Sequence, residues 1–89
     1  MQTRKIIVRG KVQGVSYRFY CLAKAVELNI EGYVQNQPDG SVLIMATGDD
    51  TSLDSLESWS RTGSPRAIVE SVESSREVFQ EFSDFTILK

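Results

Sequence analysis

The sequence of 89 residues has no histidine and only one cysteine, and both shortages exclude common kinds of site. Histidine is the commonest general base, so the catalytic triads that depend on it are excluded. Cys21 has no partner for an internal disulfide, which favours a reducing compartment, and we expect the protein in the cytoplasm. Without a cluster of cysteine and histidine, we expect no metal site.

Long apolar runs are absent as well. No segment is long and apolar enough to span a bilayer, and the apolar run in the opening MQTRKIIVRG is too short for a signal peptide. The chain is 40% hydrophobic and 25% charged, which is ordinary for a soluble protein. We therefore expect a single domain over residues 1–89 that acts as a monomer and does not bind membranes.

Acidic residues are missing from the first 26 positions, although the net charge is −2. The rest of the chain holds four basic and twelve acidic residues, whereas this first stretch holds six basic ones, Arg4, Lys5, Arg9, Lys11, Arg18 and Lys24. Such a positive region would suit a small anionic ligand. A basic strand edge that faces solvent explains the charges equally well, so charge alone leaves both interpretations open.

The pattern of apolar residues changes period early in the chain. Residues 4–12, RKIIVRGKV, alternate between apolar and basic side chains, as a half-buried strand does. Residues 18–28, RFYCLAKAVEL, change to helical spacing, with Phe19, Leu22 and Val26 one turn apart. This spacing predicts a helix with these three residues on its apolar face.

The later segments complete a recognisable order of elements. Residues 29–36 and 41–48 predict a hairpin, because they flank the turn QPDG. A helix is predicted over 49–63, and further strands over 64–73 and 85–89. The order predicts an α+β protein of the ferredoxin-like βαββαβ plan, with two helices on one face of a mainly antiparallel sheet and a short C-terminal strand.

The second predicted helix has its own start signal and apolar face. Thr51 and Asp54 have the spacing of a capping box, with Asp in place of the usual Glu. Leu53, Leu56 and Trp59 follow at helical spacing, so we expect them to face the core.

The segment VQGVSYR between the first strand and the first helix is a candidate anion site. The strand ends near Val12, Gly14 relaxes the backbone, and the helix begins near Arg18. Backbone N–H groups in such a loop can surround a tetrahedral anion, and an arginine can add a planar fork of donors. The same pattern also occurs in plain turns before helices, so both interpretations stand.

Asn36 lies at the end of the second predicted strand, before the Pro-Asp-Gly turn. Asparagine is a favoured turn residue that often bonds its own backbone. Beside an anion site, its carboxamide could instead hold a water molecule in line with a phosphorus atom. The residue type alone does not choose between these roles.

Two segments together resemble the signatures of the acylphosphatase family. The first, G-x-V-Q-G-V-x-[FY]-R, is matched by Gly10, Val12, Gln13, Gly14, Val15, Tyr17 and Arg18. The second, approximately G-x-V-x-N-x-x-D-G-x-V, is matched by Gly32, Val34, Asn36, Asp39, Gly40 and Val42. The later segment GSPRAIV also resembles the family, and the resemblance extends over almost the whole chain without an insertion.

The resemblance implies an enzyme that hydrolyses acyl phosphates to a carboxylate and inorganic phosphate. It implies that Arg18 and the loop amides hold the phosphoryl group and that Asn36 orients the attacking water. The residues expected to bind the substrate phosphate are Gln13, Gly14, Val15, Ser16, Tyr17 and Arg18. No metal or cofactor is implied, and we expect inorganic phosphate or sulfate to bind the same loop.

Several residues near this loop have simpler interpretations. We expect Gln13 to shape the loop through hydrogen bonds and Tyr17 to pack in the core. Cys21 is interpreted as a small hydrophobe rather than a nucleophile, because no histidine is present to activate it. Turn and cap positions account for three aspartates, Asp39, Asp49 and Asp50. The ending Leu88-Lys89 departs from the terminal aromatic of many family members.

Two other functions are compatible with the same fold. RNA-recognition domains share βαββαβ, but they stack bases on aromatic residues of the central strands, and SVLIMAT has none. We therefore expect no nucleic-acid partner. The chain could also be an inactive relative of the acylphosphatase-like domain in a larger carbamoyl-transfer enzyme, which turnover of an acyl phosphate would distinguish.

Overall fold

The structure, a computed structural model, describes residues 1–89 and contains five strands and two helices in the predicted order. The elements are β1 Gln2–Lys11, α1 Tyr17–Glu27, β2 Glu31–Asn36, β3 Val42–Gly48, α2 Asp50–Ser60, β4 Ile68–Glu77 and β5 Phe85–Leu88. The ferredoxin-like βαββαβ order with a short fifth strand is confirmed. Neither helix has the length and apolar character needed to cross a membrane.

The five strands form one sheet in the order β4-β1-β3-β2-β5. All neighbours are antiparallel except β5, which runs parallel to β2. The register of β1 against β4 shifts between Arg9 and Gly10. The shift leaves Glu70 of β4 without a partner on β1, as in a β-bulge.

The core lies between the sheet and the two helices. Its strand residues alternate as predicted, because every second side chain of a strand faces the helices. The buried apolar residues are Ile6, Val8, Val12, Val15, Tyr17, Cys21, Ala25, Ile30, Val34, Val42, Ile44, Ala46, Leu53, Leu56 and Phe85. Trp59 is half-buried against this cluster, so the predicted face of α2 is confirmed.

The predicted apolar face of α1 is wrong for Phe19 and Val26, whereas Leu22 is half-buried against the core as predicted. Phe19 and Val26 are 62% and 61% exposed, whereas Tyr17, Cys21 and Ala25 are fully buried. The helix is rotated because the Tyr17 hydroxyl donates a 2.9 Å hydrogen bond to the carbonyl of Ser60, and its ring packs 5.1 Å from that of Trp59. Small side chains one and two turns later then let α1 approach the sheet closely.

Two local predictions in the second half of the chain also need correction. The capping box is wrong, because α2 begins at Asp50 with Asp49 as its N-cap, and Asp54 instead pairs with Arg4 at 2.8 Å. The strand predicted over 64–73 is β4 at Ile68–Glu77. Residues 64–67 form a turn instead, closed by a 3.0 Å hydrogen bond from Ala67 N–H to the carbonyl of Ser64.

Candidate active site

A pocket of about 320 Å³ opens where four parts of the fold meet. These parts are the loop after β1, the first turn of α1, the end of β2 and the end of β5. The lining residues are Val12, Gly14, Ser16, Tyr17, Arg18, Phe19, Asn36 and Ile87. The pocket therefore brings together both segments that the sequence suggests as a site.

The loop before α1 presents a row of free backbone donors. The N–H groups from Gly14 to Phe19 donate to no protein acceptor, and the first helical bond is from Tyr20 N–H to the Ser16 carbonyl at 3.2 Å. Gly14 and Ser16 have positive φ angles of 73° and 63°. For serine this conformation is uncommon, and such strain clusters at functional sites. Together with the positive end of the helix, these donors can bind an anion.

Side chains from two other segments hold this loop in place. Gln13 Nε2 donates to the carbonyls of Gln37 and Ser41, at 2.8 and 2.9 Å, and so ties the loop to the β2–β3 turn. On the other side, the buried Ser64 hydroxyl donates to the Val15 carbonyl at 2.7 Å. The predicted shaping role of Gln13 is confirmed, because both of its amide hydrogens are engaged with backbone rather than aimed at the pocket.

Arg18 supplies the positive charge of the pocket. Its side chain is half-buried, and Nη1 donates a 3.1 Å hydrogen bond to the backbone carbonyl of Leu88 at the end of β5. It forms no ion pair with a carboxylate, and no other lining residue is charged. Its guanidinium is therefore oriented by a neutral acceptor and keeps its full charge for an anion.

Asn36 faces the same pocket from β2. The buried residues Gly32 and Val34 alternate with it along the strand, so its side chain lies on the helix side of the sheet. Its carboxamide oxygen Oδ1 is buried and accepts no hydrogen bond. Most buried polar atoms have a partner, so an orphaned acceptor in a pocket points to a donor that comes with the ligand or with a water molecule.

Two of the predicted phosphate-binding residues have side chains that are buried in the core. Val15 and Tyr17 are 4% and 1% exposed, so only their backbone N–H groups are available to an anion. Burial also raises the pKa of the Tyr17 phenol, and its hydroxyl is committed to Ser60. The prediction that Tyr17 packs in the core is confirmed.

Cys21 and Asp39 have the simple roles predicted for them. The Cys21 thiol is fully buried, and burial raises its pKa, so it is not activated as a nucleophile. Asp39 Oδ1 accepts hydrogen bonds from both the amide and the hydroxyl of Ser41, at 3.0 and 2.6 Å, and so closes the hairpin turn. Asp49 occupies the N-cap position of α2 without a side-chain cap hydrogen bond, and Asp50 begins that helix.

The ion pairs account for half of the basic residues near the start of the chain. Five contacts pair Arg4 with Asp54 and Glu57, Arg9 with Asp39 and Glu73, and Lys24 with Glu27. The interpretation as a basic strand that faces acids is therefore confirmed for Arg4 and Arg9, whereas the anionic ligand stays a prediction. Two of the four basic residues of β1 are thus matched by acids, whereas Arg18 is the one charged residue that lines the pocket.

Sequence reasoning missed two residues of the pocket lining. The helical spacing predicts Phe19 on the apolar face of α1, and the sequence indicates Ile87 only as part of the last strand. The alternation of β5, with Phe85 buried, places Ile87 on the same side of the sheet and could have indicated it. For Phe19 no sequence signal was available, because the rotation of α1 depends on the contacts of Tyr17.

Fold and pocket together define a class of protein: an α+β sandwich whose pocket contains free backbone N–H groups, an arginine without an ion-pair partner and an amide oxygen without a hydrogen bond. The acylphosphatase family model matches residues 4–87. An acylphosphatase of Acaryochloris marina is 45% identical over 85 residues, which cover 96% of this chain and 91% of that one. The acylphosphatase structure from Bacillus subtilis is 31% identical, covers both chains completely and has a TM-score of 0.97.

The chain therefore belongs to the acylphosphatase family, whose members hydrolyse acyl phosphates. The resemblance seen in the sequence is confirmed. The same fold also occurs inside a larger protein: the structure of T. kodakarensis HypF matches the whole of this chain with 31% identity and a TM-score of 0.82, over 12% of its own length.

Proposed function

We propose that this chain hydrolyses acyl phosphates by direct attack of water on the phosphoryl group. The 13–18 loop and Arg18 hold that group, and Asn36 orients the water. The observation that carries the proposal is the orphaned Asn36 Oδ1, which shares one pocket with the free N–H groups and the unpaired guanidinium. Family membership supplies the reaction class, and this geometry suggests how the reaction proceeds.

Binding of the phosphoryl group uses fixed donors. The N–H groups from Gly14 to Phe19 meet its oxygens at the positive end of α1, and Arg18 supplies a charged fork. Gln13 acts as a positioning residue, since it binds backbone carbonyls rather than the anion. Because the donors are already in place, little reorganisation is needed as charge develops on the equatorial oxygens.

The attacking water is oriented by hydrogen bonding to Asn36. One O–H of the water donates to Oδ1, which leaves an oxygen lone pair free to approach phosphorus opposite the leaving carboxylate. This removes the entropy cost of finding the in-line geometry. Asn36 neither gains nor loses a proton in this step.

The chemistry balances without a protein acid or base. The O–P bond from water forms, the P–O bond to the acyl group breaks, and the products are a carboxylate and inorganic phosphate. A carboxylate is a weak base, with a pKa of about 4, so it leaves without being protonated. The water proton passes to a phosphate oxygen of the substrate, and the pocket lining contains no Asp, Glu, Lys or His to compete for it.

We further propose that the protein acts as a single-domain monomer over residues 1–89 in the cytoplasm. In support, all eight lining residues come from one chain, so no second copy is needed to complete the pocket. The one cysteine is buried within the core and pairs with nothing.

The experiment is hydrolysis of benzoyl phosphate in the presence of EDTA by the wild type, Arg18→Ala and Asn36→Ala, with phosphate tested as an inhibitor. We expect each variant to lose about 10²- to 10³-fold in kcat/KM, as when single preorganised donors are removed. Inhibition by phosphate should be lost in Arg18→Ala but kept in Asn36→Ala, because of these two side chains only that of Arg18 binds the anion. Arg66→Ala, an exposed arginine outside the pocket, is the matched control and should stay active.

An active, folded Asn36→Ala variant would contradict the role of Asn36. A wild type that binds phosphate without turning over benzoyl phosphate would instead identify an inactive anion-binding relative. RNA binding has no structural support, since neither central strand, β1 or β3, carries an aromatic residue that could stack on a base.

A further inference from the structure

The buried hydroxyl of Ser64 holds one peptide unit of the loop before α1. Ser64 is 2% exposed, and the 2.7 Å hydrogen bond from its Oγ is the only one that the Val15 carbonyl accepts. In the trans peptide between Val15 and Ser16, the N–H of Ser16 points away from that carbonyl. Because the carbonyl is directed at a buried side chain, this N–H is directed away from it, and Ser16 lines the pocket.

The same peptide unit carries backbone strain that favours a different orientation. Ser16 has a φ of 63°, which is unfavourable for a residue with a Cβ. A half-turn of this peptide plane would bring φ of Ser16 into the negative range, but it would also turn the carbonyl towards the pocket and the N–H away. The first hydrogen bond of α1 does not oppose this rotation, since it uses the carbonyl of Ser16, which belongs to the next peptide. The hydrogen bond from Ser64 does oppose it.

The turn after α2 fixes the Ser64 hydroxyl before any anion arrives. Pro65 follows Ser64 and restricts its backbone to extended conformations. Ala67 N–H donates to the Ser64 carbonyl at 3.0 Å, which closes a four-residue turn with proline at its favoured second position. A donor on such a preformed turn loses little conformational entropy when it holds the loop.

We propose, on the basis of the proposed function, that Ser64 is a positioning residue for the phosphoryl group. Through the Val15 carbonyl it keeps the N–H of Ser16 directed at the anion, although Ser64 itself does not line the pocket. Without its hydroxyl the peptide can rotate, and a carbonyl dipole then replaces a donor at the anion site. Loss of this hydroxyl should therefore weaken anion binding as well as folding stability.

The test measures inhibition by inorganic phosphate and hydrolysis of benzoyl phosphate in the wild type, Ser64→Ala and Ser60→Ala, with urea unfolding of each. In Ser64→Ala we expect the inhibition constant of phosphate to rise, and kcat/KM to fall, about tenfold, because one of several preorganised donors is lost. Ser60→Ala is the matched control. It removes an equally buried hydroxyl, which donates at 2.6 Å to the Glu57 carbonyl and not to the loop, so its inhibition constant should equal that of the wild type.

Removal of the strain at Ser16 separates a positioning role from a merely structural one. Glycine adopts a positive φ without the cost that serine bears, so Ser16→Gly removes the tendency of the peptide to rotate. The inhibition constant of phosphate in the double variant Ser16→Gly/Ser64→Ala should therefore be close to that in Ser16→Gly alone. An equal loss from Ser64→Ala in both backgrounds would overturn the positioning role, because the two residues would then act independently.

An amide titration of the wild type with phosphate tests the orientation of the Ser16 N–H without any substitution. We expect the Ser16 amide to shift together with those of Gly14 and Arg18. A Ser16 amide that stays unchanged while its neighbours shift, or an unchanged inhibition constant in folded Ser64→Ala, would overturn the positioning role and leave the proposed function intact. A wild type that neither hydrolyses benzoyl phosphate nor binds phosphate would overturn both.

Discussion

At the scale of single residues, the pocket contains two groups that lower the folding stability of the protein when no ligand is bound. Arg18 lies in the first turn of α1, where no acidic residue is present and a positive charge opposes the helix dipole. The buried Oδ1 of Asn36 lacks a partner, which costs about 1–3 kcal/mol in a typical protein. Under the proposed function, an anion at Arg18 and a water molecule at Asn36 would remove both costs.

The carboxyl group of Asp39 predicts how the folding stability, rather than the activity, depends on pH. Hydrogen bonds from the side chain and backbone of Ser41, together with Arg9, lower the pKa of Asp39 to about 2 from an ordinary value of 3.8. A carboxylate with a lowered pKa stabilises the fold above the pKa of the unfolded state, and this stabilisation is lost as the pH falls through about 2.

The measurement for Asp39 is urea unfolding of the wild type and Asp39→Asn at pH 7 and near pH 2, with the carboxyl carbon titrated by NMR. We expect the variant to be less stable at pH 7 and the difference to shrink at the acidic end. A titration midpoint at the ordinary value of 3.8 would show that the turn does not favour the charged form.

At the scale of secondary-structure elements, α1 shows where sequence patterns succeed and where they fail. Helical spacing correctly predicts a helix at this place, but of the three apolar residues one turn apart only Leu22 packs against the core, whereas Phe19 and Val26 are exposed. The real face is set by the hydrogen bond of Tyr17 to Ser60 and by the small Cys21 and Ala25. Small residues contribute little to a pattern of hydrophobicity, although they decide how closely a helix packs.

The turn after α2 contacts α1 at Gly63, and this contact predicts how a substitution there changes stability. Gly63 has a φ of 70°, and a Cβ there would lie 2.6 and 2.9 Å from two ring carbons of Tyr17. We expect Gly63→Ala to lower the free energy of unfolding by about 2–4 kcal/mol, because backbone strain and overpacking add. The loop should be disturbed as well, since Tyr17 lies next to Ser16.

Gly40→Ala is the matched control for Gly63. Gly40 also has a positive φ, 92°, but a Cβ there would meet nothing within 4 Å. Gly40→Ala should therefore lower the free energy of unfolding only by the backbone strain, about 1 kcal/mol. Urea unfolding measures both variants. Equal losses in the two variants would show that the contact with Tyr17 does not matter.

At the scale of the whole molecule, topology joins segments that are far apart in the chain. The loop that follows β1, the end of β2 and the end of β5 meet because β5 runs parallel to β2 at the sheet edge and α1 covers that edge. The hairpin and the order of elements could be predicted from turn residues and periodicity. The hydrogen bond from Arg18 to Leu88 could not, because it depends on where a four-residue strand pairs.

The candidate site, too, could be predicted from the sequence only in part. Family-like motifs identified Arg18, Asn36 and the loop, and the structure brings them into one pocket. The motifs did not show which carbonyls Gln13 binds, namely those of Gln37 and Ser41, or that Oδ1 of Asn36 has no hydrogen-bond partner. Those facts depend on burial and on neighbours from other elements.

The most direct test of the central claim, that the 13–18 loop and Arg18 hold the phosphoryl group, is an amide ¹H–¹⁵N NMR titration with inorganic phosphate. We expect saturable shifts concentrated at the free N–H groups from Gly14 to Phe19, and their loss in a folded Arg18→Ala variant. Shifts centred on the basic surface around Lys5 and Arg9, or none in the wild type, would contradict the account.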